Sequence, residues 1–118
     1  MTKVTFGKYG EDLACRYLEK QGYKILERNF RIRGGEIDII AQDSQTLVYV
    51  EVKTRTSYRF GYPEEAVTPF KLRFLKKAAK FYQNARKNLP ELERIDVVAV
   101  DLINDQNPKI RLIKNAAF

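Results

Sequence analysis

The sequence predicts a single α/β domain, a mixed sheet flanked by helices, with its elements in the order α-β-β-β-α-β-β. Three observations predict it. Two stretches repeat apolar residues at helical spacing, Gly7 to Gln21 and Phe70 to Lys87. Five shorter stretches are rich in Val, Ile, Leu and Tyr and are separated by turn-forming residues. The 118 residues, 44% hydrophobic and 31% charged, suffice for one core and show no linker or repeat. Residues 1–118 are therefore expected to form one domain, with a short tail at about 115–118.

In the first helix Tyr9, Leu13, Ala14, Tyr17 and Leu18 share a stripe, and Gly22 is a natural stop. Tyr23 to Ile32 reads as extended, and Gly34-Gly35 as a hairpin turn into a strand from Glu36 to Ala41. After the turn Gln42 to Gln45, Thr46 to Lys53 is a third strand. The loop Thr54 to Val67 is long for a compact domain, and loops of that length are often functional. Thr68 then stands as an N-cap before Pro69 at the first helical position. Phe74, Leu75, Ala78, Phe81, Tyr82 and Ala85 are expected to make the apolar stripe of the second helix. Arg94 to Ile103 holds the run Val97 to Val100, expected to be buried on both faces. Lys109 to Lys114 is the last strand.

Composition excludes several chemistries. There is no His and only one Cys, Cys15, so a Cys/His nucleophilic pair, a Cys/His zinc site and an internal disulfide are all ruled out. No apolar run has the length of a membrane span, and the first residues lack a secretory pattern. A cytoplasmic location is expected, with no membrane partner. The 22 Lys and Arg against 15 Asp and Glu leave a net charge of +7. Such an excess favours polyanions, nucleic acid foremost, and it also serves solubility.

Acids stand in the second and third strands where a buried sheet favours apolar residues. Side chains alternate between faces along a strand. Glu36, Asp38 and Ile40 are thus expected on one face, and Ile37 and Ile39 on the other. Likewise Glu51 and Lys53 oppose Val48, Val50 and Val52. In the simplest hairpin register Glu36, Asp38, Glu51 and Lys53 come together opposite a core face of Val and Ile. Two such carboxylates repel each other, and a divalent cation resolves the conflict. Mg²⁺ takes oxygen ligands and commonly uses one or two carboxylates plus a substrate phosphate. Lys53 would then orient the attacking water or stabilise charge on the phosphate. An exposed strand face with a plain Glu51–Lys53 ion pair fits the same short pattern. Asp96 and Asp101, bracketing the buried strand, read as edge residues making structural hydrogen bonds.

Three segments carry a closer likeness: Gly35-Glu-Ile-Asp-Ile-Ile-Ala41, Val48-Tyr-Val-Glu-Val-Lys-Thr-Arg55 and Gly61-Tyr-Pro-Glu-Glu-Ala-Val67. With Gly7-Lys-Tyr-Gly-Glu-Asp-Leu-Ala14 and Thr68-Pro-Phe-Lys71, they resemble the signatures of the YraN family of bacterial proteins, nearly end to end. That family is in turn similar to archaeal Holliday-junction resolvases and to the PD-(D/E)xK nucleases. The resemblance implies a restriction-endonuclease-like fold and a nuclease requiring Mg²⁺ or Mn²⁺. It matches Asp38 to the motif's Asp, Glu51 and Lys53 to its (D/E)xK, and Glu11 to a metal-reaching acid on the first helix. Ile37 departs from the motif, where the name has Pro. The implied substrate is structured or branched DNA.

Basic residues supply a route to the phosphates. Arg73, Lys76, Lys77 and Lys80 recur on one face of the second helix, and Arg55 and Arg59 stand in the long loop with Tyr58, Phe60 and Tyr62. Arg28, Arg31 and Arg33 near the hairpin turn are further candidates. The expectation is a nuclease acting on DNA rather than RNA; the alternative is a non-catalytic nucleic-acid-binding protein on the same fold. A homodimer through Ile110, Leu112 and Phe118 is the expected assembly.

Overall fold

The computed structural model describes residues 3–57 and 68–116. Seven elements follow one another: α1 (Lys3–Lys20), β1 (Lys24–Ile32), β2 (Gly35–Asp43), β3 (Thr46–Arg55), α2 (Pro69–Asn84), β4 (Leu92–Asp101) and β5 (Lys109–Ile113). They form one five-stranded sheet in the order β1-β2-β3-β4-β5. The β3–β4 pair is parallel and the other three are antiparallel. This is the mixed, helix-flanked arrangement that the sequence pattern predicts.

The element bounds differ from the expected ones mainly at the helix ends. The first helix begins at Lys3, before Gly7, and the second ends at Asn84, short of Lys87. Thr68 caps α2 as expected: its hydroxyl accepts from the Lys71 amide at 3.2 Å, with Pro69 in the first turn. This satisfies one of the free N–H groups that open a helix.

The core has two layers because both faces of the sheet are covered. Against α1 pack Ile39, Ala41, Val48, Val50, Val98 and Val100, together with Ala14 and Leu18 of the helix. Against α2 pack Ile37, Ile40, Leu47 and Tyr49, together with Leu75, Ala78 and Tyr82. Burying one such Val, Ile or Leu side chain contributes roughly 1.5–3 kcal/mol. The run Val97 to Val100 is buried throughout, as a strand covered on both faces requires. Phe74 and Phe81, expected in the α2 stripe, are exposed instead, at 38% and 55%. Ala85 is exposed as well, at the C-cap of α2. The helix's buried residues are Leu75, Ala78, Ala79 and Tyr82, a narrower arc that leaves the two phenylalanines on its flank.

One departure shapes the site. Ile37 packs with α2 and Ile39 with α1, so residues two apart on β2 face opposite ways. The alternation breaks at Asp38. The β2–β3 register runs from Asp43↔Thr46 only to Ile39↔Val50, and Asp38 has no cross-strand partner in it. On the other side β1 pairs Arg28 with Ile39 and Phe30 with Ile37, leaving Asn29 and Asp38 between them. Asn29 has φ +52°, the left-handed conformation that Asn tolerates better than most residues. The single apolar face expected of Ile37 and Ile39 together is therefore not formed.

Candidate metal and nucleic-acid site

Asp38 sits where β2 and β3 part. Its Oδ2 accepts the Val52 amide at 2.8 Å, taking the place of the ladder bond lost there. Burial, reinforced by the nearby Glu51 charge, pushes its pKa up to about 7. The Val52 bond works against that rise but does not outweigh it.

Glu11 is brought to the same place by α1. Gly10 lies so close to Thr54 that a Cβ there would run into the threonine side chain, so the helix can cross β3 only with glycine at this position. The result is a cleft of about 620 Å³ lined by Glu11, Asp38, Val52, Lys53, Thr54 and Arg55, among others. Burial raises the Glu11 pKa, with Arg28 and Asn29 acting in the opposite direction. Glu11 Oε1 is buried without a hydrogen-bond partner, and Arg55 Nε is too. The Arg28 guanidinium stands 3.8 Å from that Glu11 oxygen, beyond hydrogen-bond range.

Glu51 takes up the neighbouring position. It is 9% exposed and lines a second groove of about 390 Å³ with Phe70, Lys71 and Phe74. Lys71 Nζ donates to Glu51 Oε1 at 2.7 Å, and Lys53 Nζ stands 3.9 Å from the same oxygen. Lys53 lines the cleft and reaches toward Glu51 of the groove. Burial, and then the positive charge of Lys71, pull its pKa down to about 8.

Asp38, Lys53 and Glu11 meet in one cleft, and Glu51 adjoins it through Lys53. Among the described residues, no group of three acids is arranged so that it could hold a metal ion by itself. Glu36 does not join them: it is exposed and pairs with Arg31 at 3.5 Å. Arg28 is committed to α1, 2.7 Å from Asp12, rather than free at the hairpin turn. Arg73, Lys76, Lys77 and Lys80 are all exposed on the outer face of α2, and Arg55 reaches the cleft. Arg59, Tyr58, Phe60, Tyr62 and Phe118 lie outside the described residues. Ile110 and Leu112 pack partly buried against the α1-side core rather than presenting an apolar edge. Asp96 is fully buried, accepting from Tyr23, Arg94 and the Asn115 amide, so its hydrogen bonds are structural but its place is not the edge.

Two residues escaped the strand-pattern reasoning. Lys71 is one: its signal was only its place after the Thr68-Pro69 cap, where the first helical turn aims it back at β3. Asn29 is the other, and its signal was a lone amide inside an otherwise alternating strand.

Residues 10–100 match the model of the uncharacterised protein family UPF0102. Three relatives, each described as a UPF0102 protein, are similar over almost their whole length. One from Syntrophomonas wolfei is 52% identical, covering 93% of this chain and 95% of the relative. One from Geobacter metallireducens is 51% identical, covering 95% and 91%. One from Caldicellulosiruptor saccharolyticus is 47% identical, covering 98% and 99%.

Proposed function

The chain belongs to the uncharacterised protein family UPF0102, and from that premise we propose that it is a nuclease dependent on Mg²⁺ or Mn²⁺, hydrolysing phosphodiester bonds in structured or branched DNA. One observation carries the reading. The cleft that holds Asp38 and Lys53 also holds a buried carboxylate oxygen, Glu11 Oε1, and a buried guanidinium nitrogen, Arg55 Nε, and neither has a hydrogen-bond partner, Arg28 standing 3.8 Å from the former. Such groups are costly to leave unmet. An orphan acceptor calls for a cation and an orphan donor for an anion. A metal ion together with a phosphate meets both needs.

The donor set fits a hard divalent cation, since all its atoms are carboxylate oxygens. Asp38 and Glu11, which share the cleft, would hold it, and Glu51 would join them only on leaving Lys71, because as the described residues stand no three acids are grouped for a metal. When bound, the ion supplies a water of lowered pKa and polarises the phosphate. The protein's own groups do the rest. Arg55 binds a phosphate oxygen and fixes its direction. Lys53 holds a proton donor toward the oxygen that gains charge as the bond breaks. Lys71 keeps the Glu51 carboxylate oriented. The exposed stripe from Arg73 to Lys80 draws in the nucleic-acid backbone. A homodimer would suit a two-fold branched substrate.

A second reading is favoured by one contact. The 2.7 Å bond from Lys71 satisfies Glu51 without any metal. In that reading the chain binds nucleic acid through its basic surface and cleaves nothing. The test presents linear, single-stranded, flapped and four-way-junction DNA to the purified chain with Mg²⁺ or Mn²⁺. The nuclease reading expects cleavage that Asp38→Ala and Glu51→Ala abolish while metal-free binding survives. Lys53→Ala should slow it by about 10²–10³-fold. A wild type that binds but never cleaves hands the case to the second reading. Cleavage unchanged in Asp38→Ala places the activity elsewhere.

A further inference from the structure

We propose that the groove between the β1–β2 turn and the first turns of α2 binds one unpaired nucleobase, so that the chain selects substrates with unpaired nucleotides beside the bond to be cut. In naming that substrate class the inference rests on the nuclease reading; the binding itself does not.

The groove is built by close approach. A Cβ on Gly35 would meet the Phe74 carbonyl oxygen at 2.6 Å, so only glycine lets the start of β2 lie against α2. The ammonium of Lys77 hangs over Gly34, 2.9 Å from where a Cβ would stand. Between turn and helix is a space of about 390 Å³, inside the range of about 300–1,000 Å³ usual for small-ligand sites.

Its wall is aromatic and open. Phe70 is 60% and Phe74 38% exposed, with ring centroids 4.7 Å apart and planes at 60°. Two adjacent phenylalanines in contact with water offer ring surface on which a flat group can stack. A base offers every such ring a π-face whatever its sequence.

The charges sort the occupant. Glu36 and Glu51 line the groove and can accept from the exocyclic amino groups of a base. Arg31 and Lys71 line it too and pair with those acids at 3.5 and 2.7 Å, so the lining carries as many cations as anions. The Arg73 guanidinium lies 6.0 Å from the Phe70 ring centroid, and Lys77 lies over Gly34. A neutral ring suits the balanced lining, and the phosphates beside it suit these further cations. Glu51 ties the groove to the reaction, because Lys53 of the cleft stands 3.9 Å from it. A base seated here brings the adjoining phosphate toward Asp38 and Lys53.

The experiment measures binding of the full chain in EDTA to two fluorescent DNA probes, a blunt duplex and the same duplex with a single-stranded overhang. Phe70→Ala, at an exposed position, should weaken overhang binding by about tenfold and leave blunt-duplex binding within about twofold. Phe70→Trp should restore it. Equal losses on both probes, or none, overturn the proposal. So does a dimer by light scattering that Phe70→Ala converts to monomer, since a second copy then covers the groove. Because no metal is present, Phe70-dependent overhang binding upholds the groove even if the chain cleaves nothing. Cleavage with Mg²⁺ that Phe70→Ala leaves unchanged on both probes sinks the groove and spares the nuclease.

Discussion

The Asp38 carboxylate accepts the Val52 backbone amide at 2.8 Å, at the level where β2 and β3 cease to pair. An acid side chain thus stands in for a ladder carbonyl. It holds the two strands together while they splay, and the splay makes room for the cleft beside Lys53 and Glu11.

The buried position of Asp38 makes metal-free stability depend on pH. Its pKa is about 7 in the folded chain, against an ordinary value of 3.8, because of burial and then Glu51. Between these values the native state holds the proton more tightly than the unfolded chain. Stability therefore falls as pH rises through this window and levels off above it. A tenfold difference in proton affinity is worth about 1.4 kcal/mol, so the fall amounts to a few kcal/mol. Denaturant midpoints in EDTA from pH 5 to 8 should show the slope in the wild type and lose it in Asp38→Asn. A parallel slope in the variant would assign it to another group.

Lys71 and Lys53 share Glu51, and the cost falls on Lys53. Its pKa of about 8 reflects burial first and the positive charge of Lys71 next. In Lys71→Met the second cause vanishes and Glu51 is left to Lys53. NMR of ¹³C-methylated lysines should then show Lys53 titrating higher, part of the way back toward 10.5. An unmoved titration would mean that burial alone sets it.

The α2 stripe should act through charge number. Replacing Lys76, Lys77 and Lys80 by Ala should flatten the dependence of log Kd on log salt by up to about 0.9 for each duplex phosphate that is no longer neutralised. Discrimination between DNA sequences should not change, because these side chains have no fixed geometry toward base edges. Fluorescence anisotropy across a salt series measures the slope. A slope equal to the wild type's would show that the stripe only faces water.

Asp96 is fully buried and accepts from Tyr23 at 2.9 Å, from Arg94 at 2.8 Å and from the Asn115 amide at 2.9 Å. Asp96→Ala strands the Arg94 charge beside the core. A loss of about 3–5 kcal/mol is expected, as when one partner of a buried pair is removed. Urea unfolding checks this. A loss below about 1 kcal/mol would show that Arg94 turns to Asp43, already 2.9 Å away, at little cost.

The pattern of residues determined a great deal. Helical spacing located both helices, Thr68-Pro69 marked the start of α2, and alternation with turn residues located all five strands. These are local properties, set by backbone preference and by the side on which apolar atoms must lie. The run Val97 to Val100 even announced burial on both faces. Asp38, Glu51 and Lys53 stood out as charged residues in strands that otherwise favour apolar ones, and the sequence expected them together.

Only the tertiary structure decided where those acids go. Strict alternation put Glu36, Asp38, Glu51 and Lys53 on one face. The break at Asp38, opposite the left-handed Asn29, turned Asp38 toward α1, while unbroken alternation along β3 kept Glu51 toward α2 with Leu47 and Tyr49. A register interruption depends on how three strands twist past one another, and no single strand's pattern encodes it. For the same reason Lys71 could not be read as the partner of Glu51. The two are 20 residues apart, and they meet only because α2 folds back onto β2 with its capped first turn beside Glu51. The exposure of Phe74 and Phe81 has a similar cause. Helical spacing says which residues share a side, but the width of the sheet beneath decides how much of that side is covered.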